Sequence, residues 1–168
     1  MAQVRFYPVR IRFQTLRDLL VKYDATQFKY LVFQSENLDS THRRDEYDLT
    51  GFVVDPNWKA ALAIGNPDII RDLDNQPHKV NDKRVAFGNY PLTRTKIEEI
   101  KNGTGGPLID YLLLKPKEYS RDPRYISYQI VAVNTIPFNN TDNIENYKIL
   151  TEGDEDLNPC PPNQPSQG

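Results

Sequence analysis

The sequence predicts an α+β fold: a mostly antiparallel sheet of about six to eight strands, three short helices and a disordered acidic, Pro-rich C-terminal tail. Three observations predict it. The stretch from Pro107 to Asn134 reads as a β-hairpin, with Ile109, Tyr111 and Leu113 on one face of the first arm and Leu108, Leu112 and Leu114 on the other. Its second arm, carrying Ile126, Tyr128, Ile130 and Ala132 on one face and Val131 and Val133 on the other, looks like an interior strand covered on both sides. Segments with helical spacing are short and bounded by capping residues. From Thr151 onward, acidic residues precede Pro159, Pro161, Pro162 and Pro165 with almost no apolar side chain, a composition that cannot offset the entropy of ordering.

Taken in order, Val4 to Phe13 alternates as one strand, with Arg5, Tyr7, Val9, Ile11 and Phe13 as its better core face. Pro8 places it at a sheet edge or a bulge. Thr15 and Asp18 cap a helix that presents Leu16, Leu19, Leu20 and Tyr23 and runs to about Asp24. Gln27 to Gln34 is a strand, and the polar segment Ser35 to Glu46 is a surface loop. Tyr47–Val54 and Trp58–Ile64 read as two strands joined by the turn residues Asp55-Pro56-Asn57, with a helix as the alternative for Trp58–Ile64 because of its alanines. Asn66-Pro67-Asp68 opens a short helix ending near Asn75. Lys79 to Gly88 supplies a strand or tight hairpin. Thr95-Lys96-Ile97-Glu98 is a capping box heading a third helix, with Ile97 and Ile100 inward and Asn102-Gly103 as its stop.

The 168 residues, 38% of them hydrophobic, suffice for one core and are few for two. The expected organisation is one domain over 1–150 and a flexible tail over 151–168. A net charge of −2 gives no global attraction to a polyanion. No apolar run is long enough to insert in a membrane, and the N-terminal residues lack a signal-peptide core, so the expected location is cytoplasmic, with a processed secreted domain as the alternative. The single cysteine, Cys160, rules out an internal disulfide and a cysteine-based zinc cluster within one chain. No nucleophile elbow, His-Glu-x-x-His pair, phosphate loop or dinucleotide glycine pattern occurs, and no cofactor or metal is expected.

Four groups of residues could bind something. Arg5, Arg10, Arg12, Arg17, Lys22 and Lys29 interleave with Phe6, Tyr7, Phe13, Tyr23 and Tyr30, the ingredients of a single-stranded nucleic-acid surface. Charge along an edge strand, which discourages edge pairing, is the plainer account. His42 among Arg43, Arg44, Asp45 and Glu46, with His78, could form an acid/base site, although a charged loop is ordinarily just solvated. Ten tyrosines are present, and Tyr111, Tyr119, Tyr125, Tyr128 and Tyr147 gather about the central hairpin. Tyrosine joins apolar area to a polar tip and suits a recognition surface, but it is also an ordinary half-buried strand residue. The tail about Cys160 could be a partner-binding strip.

The leading expectation is a non-catalytic interaction or structural protein. It uses a tyrosine-bearing sheet face or edge strand, with Tyr111, Tyr119, Tyr125, Tyr128, Arg10 and Arg12 as binding residues, to contact a protein partner or its own copies. An enzyme with a His/carboxylate site is the runner-up. Single-stranded nucleic-acid binding through the basic N-terminal strand is third.

Overall fold

The run from Val4 to Phe13 holds two strands instead of one, and the break between them sets the architecture. In the computed structural model, which describes residues 3–39, 43–64, 69–71, 76–81, 85–135, 147–149 and 156–159, β1 (Gln3–Phe6) belongs to one sheet and β2 (Val9–Arg12) to another. Pro8 has no N–H to continue a ladder, so the chain leaves the first sheet there. The step also shifts the alternation by one residue. Val4 and Phe6 face the core before it, Val9 and Ile11 after it, so the expected core face is corrected at Arg5, which is only half-buried.

Among the described residues, two six-stranded sheets replace the single sheet expected. The first runs β7 (His78–Asn81), β1, β4 (Arg43–Val54), β3 (Tyr30–Asp39), β8 (Asn89–Thr93), with β5 (Ala60–Ile64) also paired to β4. The second runs β11 (Tyr147–Ile149), β10 (Ile126–Thr135), β9 (Tyr111–Glu118), β2, β6 (Ile69–Arg71), with β12 (Asp156–Leu157) also on β10. Among the described pairings, β1 with β4 is parallel and the rest are antiparallel. The sheets face each other across one core. Phe6, Leu31, Phe33, Val53 and Tyr90 of the first meet Val9, Ile11, Leu112, Leu114, Tyr128 and Ile130 of the second. Leu16 and Leu19 of α1 (Phe13–Lys22) and Ile97 of α2 (Arg94–Asn102) join the same cluster.

From Tyr111 on, the central hairpin forms as its alternation implies: β9 and β10 pair from Tyr111↔Val133 to Glu118↔Ile126, and β10 has neighbours on both sides. Before Tyr111 the expectation is corrected, because the 3-10 turn Gly106–Leu108 breaks the alternation, leaving Leu108 exposed and Ile109 in the core with Leu112 and Leu114. Three other expectations are corrected. Ile69–Arg71, placed in a helix by its Asn-Pro-Asp start, is β6. Ile69 lies opposite Ile11 and is buried, so pairing of β-branched residues against β2 outweighs the local start signal, and the rest of 66–75 lies outside the described residues. Two helices of the three expected are therefore present among the described residues, beside a 3-10 turn at Gly106–Leu108. Ser35 to Glu46 is not a loop at its described residues. The β3–β4 ladder continues to Asn37↔Tyr47, shifts register, and ends at Asp39↔Arg43, because backbone pairing needs no apolar side chains.

Both helices begin earlier than expected, α1 by three residues and α2 by two. α1 follows Arg12, which makes no side-chain cap bond, and α2 is capped by Thr93, whose hydroxyl accepts the Lys96 N–H at 3.1 Å. The stop after Asn102 is as read. Gly105 takes a left-handed conformation (φ 78°), and a Cβ on Gly106 would run into the Lys101 carbonyl, so this glycine run is a helix stop and turn. In the tail, Leu157 is buried against the core and Lys117 holds Asp156 at 2.7 Å; otherwise 151–168 is described only at 158–159. No described helix is long and apolar enough to cross a membrane.

Candidate interaction site

Alternation along β2 sends Val9 and Ile11 into the core and Arg10 and Arg12 to the opposite face of the second sheet. On β9 the same rule buries Leu112 and Leu114 inward and puts Tyr111 and Leu113 outside. The registers then build two rows across that outer face: Arg10, Leu113, Val131 and Arg12, Tyr111, Val133. Both guanidinium groups reach the same ring, with Arg10 Cζ 5.0 Å and Arg12 Cζ 5.8 Å from the Tyr111 centroid. Arg12 Nη1 also donates to the Tyr111 hydroxyl at 3.4 Å. The two arginines differ in setting. Arg10 is only 2% exposed, whereas Arg12 is exposed.

Beside this pair lies an open cleft of about 340 Å³, lined by Arg12, Gln14, Arg17, Ile109, Asp110 and Tyr111. Arg17 is occupied in holding its wall. Its Nη2 donates to the carbonyls of Gly106 (3.0 Å) and Ile109 (3.1 Å), and its guanidinium lies 4.7 Å from the Phe13 ring centroid. Phe13 N–H donates to Asp110 O at 2.8 Å and Asp110 N–H to Val133 O at 2.9 Å, so the start of α1, the loop before β9 and β10 are tied together under the cleft. The arrangement can hold an acceptor-rich group against Arg12 and the Tyr111 hydroxyl.

Three of the six binding residues expected from sequence, Arg10, Arg12 and Tyr111, thus converge. The others do not. Tyr119 and Tyr125 are half-buried at the far end of the hairpin, where Tyr119 N–H donates to Tyr125 O at 3.1 Å, about 26 Å along the strand from Tyr111. Between them Arg124 hydrogen-bonds Asp122 through its side chain and backbone, which holds the Asp122 carboxyl below its ordinary value. Tyr128 is fully buried, edge-on to Tyr90 at 5.1 Å, and burial pushes both phenols well up in pKa. It belongs to the core and offers nothing to a partner.

The remaining basic residues are scattered. Arg5 is in the first sheet opposite Lys79, and Lys22 and Lys29 lie against Tyr23 and Tyr30, each Nζ 5.4 Å from the ring centroid. His78 is half-buried on β7, where burial pushes its imidazole pKa down against the opposing pull of Glu118. His42 and Cys160 lie outside the described residues. Among the described residues, no three His, Cys, Asp or Glu side chains are grouped so as to hold a metal ion.

Sequence reasoning missed the outer face of the first sheet. There Tyr30, Val32 and Val54 are buried beneath Phe52 and Trp58, with Trp58 edge-on to Tyr30 at 5.1 Å. The available signal was the apolar character of both faces of β3, Tyr30 and Val32 against Leu31 and Phe33, which requires a cover on each side.

No protein-family model matches this sequence, and no curated protein or solved structure is significantly similar to it.

Proposed function

We propose that the protein is a non-catalytic interaction domain that docks a protein partner, or a second copy of itself, through the accessible Arg12–Tyr111 corner of its second sheet and the cleft beside it, the Leu113, Val131 and Val133 part of that face being buried. The convergence of Arg10, Arg12 and Tyr111 on one spot beside an open cleft supports this reading. Tyrosine and arginine are the residue types that dominate binding energy at protein interfaces when their side chains are held in place beforehand. Tyr111 is held by the buried Arg10 behind it, and exposed Arg12 beside the phenol presents donors suited to a carboxylate or backbone carbonyl of a partner.

Native mass spectrometry of the untagged protein, taken gently from its source cells, tests the proposal against the Arg12→Glu/Tyr111→Ala double variant. The wild type is expected to retain a partner chain or a second copy, and the variant to lose it while keeping its circular dichroism spectrum. Equal assembly by both proteins overturns the proposal, as does a bare wild-type monomer that retains only a small molecule or metal.

A further inference from the structure

We infer that the opposite face of the molecule, the outer face of the first sheet, carries a subsite for a single ring of a neutral saccharide, centred on Trp58. Four observations converge there. Trp58 is the one described non-glycine residue with a positive φ (65°), a conformation that L-residues avoid because Cβ crowds the following carbonyl. Asp55 sustains it: its Oδ1 accepts the N–H groups of Asn57 and Lys59, each at 2.9 Å, its carbonyl accepts the Trp58 N–H at 2.9 Å, and its own N–H donates to Lys59 O at 3.1 Å. Strain held in place by so many bonds is a pointer to use of the side chain it positions.

The cleft beside the indole holds about 260 Å³ and is lined by Val32, Gln34, Phe52, Val54, Trp58, Ala60 and Asn89. That is just below the ~300–1,000 Å³ of sites for drug-sized ligands, a size for one ring. Its lining is aliphatic and aromatic apart from two amides, one exposed (Gln34) and one buried (Asn89). Gln34 and Asn89 are cross-strand partners on β3 and β8, and Gln34 Nε2 donates to Asn89 Oδ1 at 2.8 Å. Each amide keeps further donor and acceptor capacity after that bond, arranged along one edge.

The lining contains no charged side chain, which matches an uncharged ligand and gives nothing to a phosphate or carboxylate. A pyranose has the complementary chemistry: a C–H face for the indole and aliphatic floor, and hydroxyls that both donate and accept for the two amides. The other indole-bearing alternative, an extended proline-rich peptide, needs a longer groove and has less use for paired amides.

Trp58 is the chain's sole tryptophan, so its emission reports this site alone. The test titrates the methyl glycosides of glucose, galactose and mannose separately, reading Trp58 fluorescence and the side-chain amide resonances of Gln34 and Asn89. At least one glycoside is expected to give a saturable change in both signals. The exposed Gln34→Ala variant is expected to weaken it at least about tenfold, or ~1.4 kcal/mol. Trp58→Gly, which suits the left-handed backbone, is expected to keep the fold and abolish the amide shifts. No saturable response to any glycoside overturns the inference. So does a response that Gln34→Ala leaves unchanged, or one given by a proline-rich peptide and by no glycoside.

Discussion

The outer faces of the two sheets share an architecture and differ in how each fixes its half-buried aromatic. On the second sheet, the guanidinium of Arg10, itself sealed from water, backs the face of the Tyr111 ring. On the first, Trp58 is held from its own backbone by the bonds that Asp55 makes around the turn. One device is electrostatic and supplies a charged surface; the other is conformational and supplies an uncharged one. Two faces with equivalent strand frameworks therefore present different side-chain chemistry, and that difference lies in the outward-pointing residues and not in the fold.

Arg10 and Arg12 give the largest expected contrast. Arg10→Ala should cost about 2 kcal/mol or more, because it removes a desolvated cation–π contact and leaves space behind Tyr111. Arg12→Ala should stay within about 0.5 kcal/mol, since that side chain is exposed. Urea denaturation of the two variants measures this; equal losses would break the division into a supporting arginine and a presenting one. On the other face, Trp58→Gly should be more stable than Trp58→Ala by up to about 1 kcal/mol, despite the greater freedom of glycine in the unfolded chain, because only alanine keeps the left-handed strain. Thermal melts of the pair decide it, and alanine equal to glycine would remove the conformational half of the comparison.

The smallest effect lies where the sheets meet, at His78 on β7 with Glu118 of β9 nearby. Burial lowers the folded-state pKa of His78 below its ordinary 6.5, so at pH values near and below that the unfolded chain binds more protons than the native one. Its contribution is fully present above about pH 6.5 and is lost as the pH falls through the depressed value. A small drop in Tm on acidification should follow, flattened in His78→Gln, with neither outer face's binding altered.

How much of this could be read beforehand depended on what each element rests on. The β9–β10 hairpin was legible because its pairing and its burial follow the same alternation. Residues 35–39 of β3 and 43–46 of β4 were not, because Glu36 and Asn37 join the strand through backbone pairing opposite Asp48 and Tyr47 and leave no hydrophobic period of their own. Ile69–Arg71 was misread for the converse reason, a strong local start signal overruled by a strand distant in sequence. Arg10, Arg12 and Tyr111 were each identifiable, but their meeting depends on the β2–β9 register, which neither strand encodes alone. Tyr128 shows the opposite limit: the alternation that made it look like a surface candidate also fits the core face where it lies.

The sheet change at Tyr7–Pro8 also bears on how the chain reaches this state. Residues 3–12 supply a strand to each sheet, yet their partners arrive much later: Glu46–Tyr47 and His78–Asn81 for β1, Ile69–Arg71 and Tyr111–Leu114 for β2. At a synthesis rate of ~5–20 residues per second, Val9 waits about 5–20 s after leaving the ribosome for its place beside Leu114. Nascent chains that have not reached Leu114 carry Val9 and Ile11 without their β9 neighbour, a hydrophobic segment open to chaperones until β9 emerges.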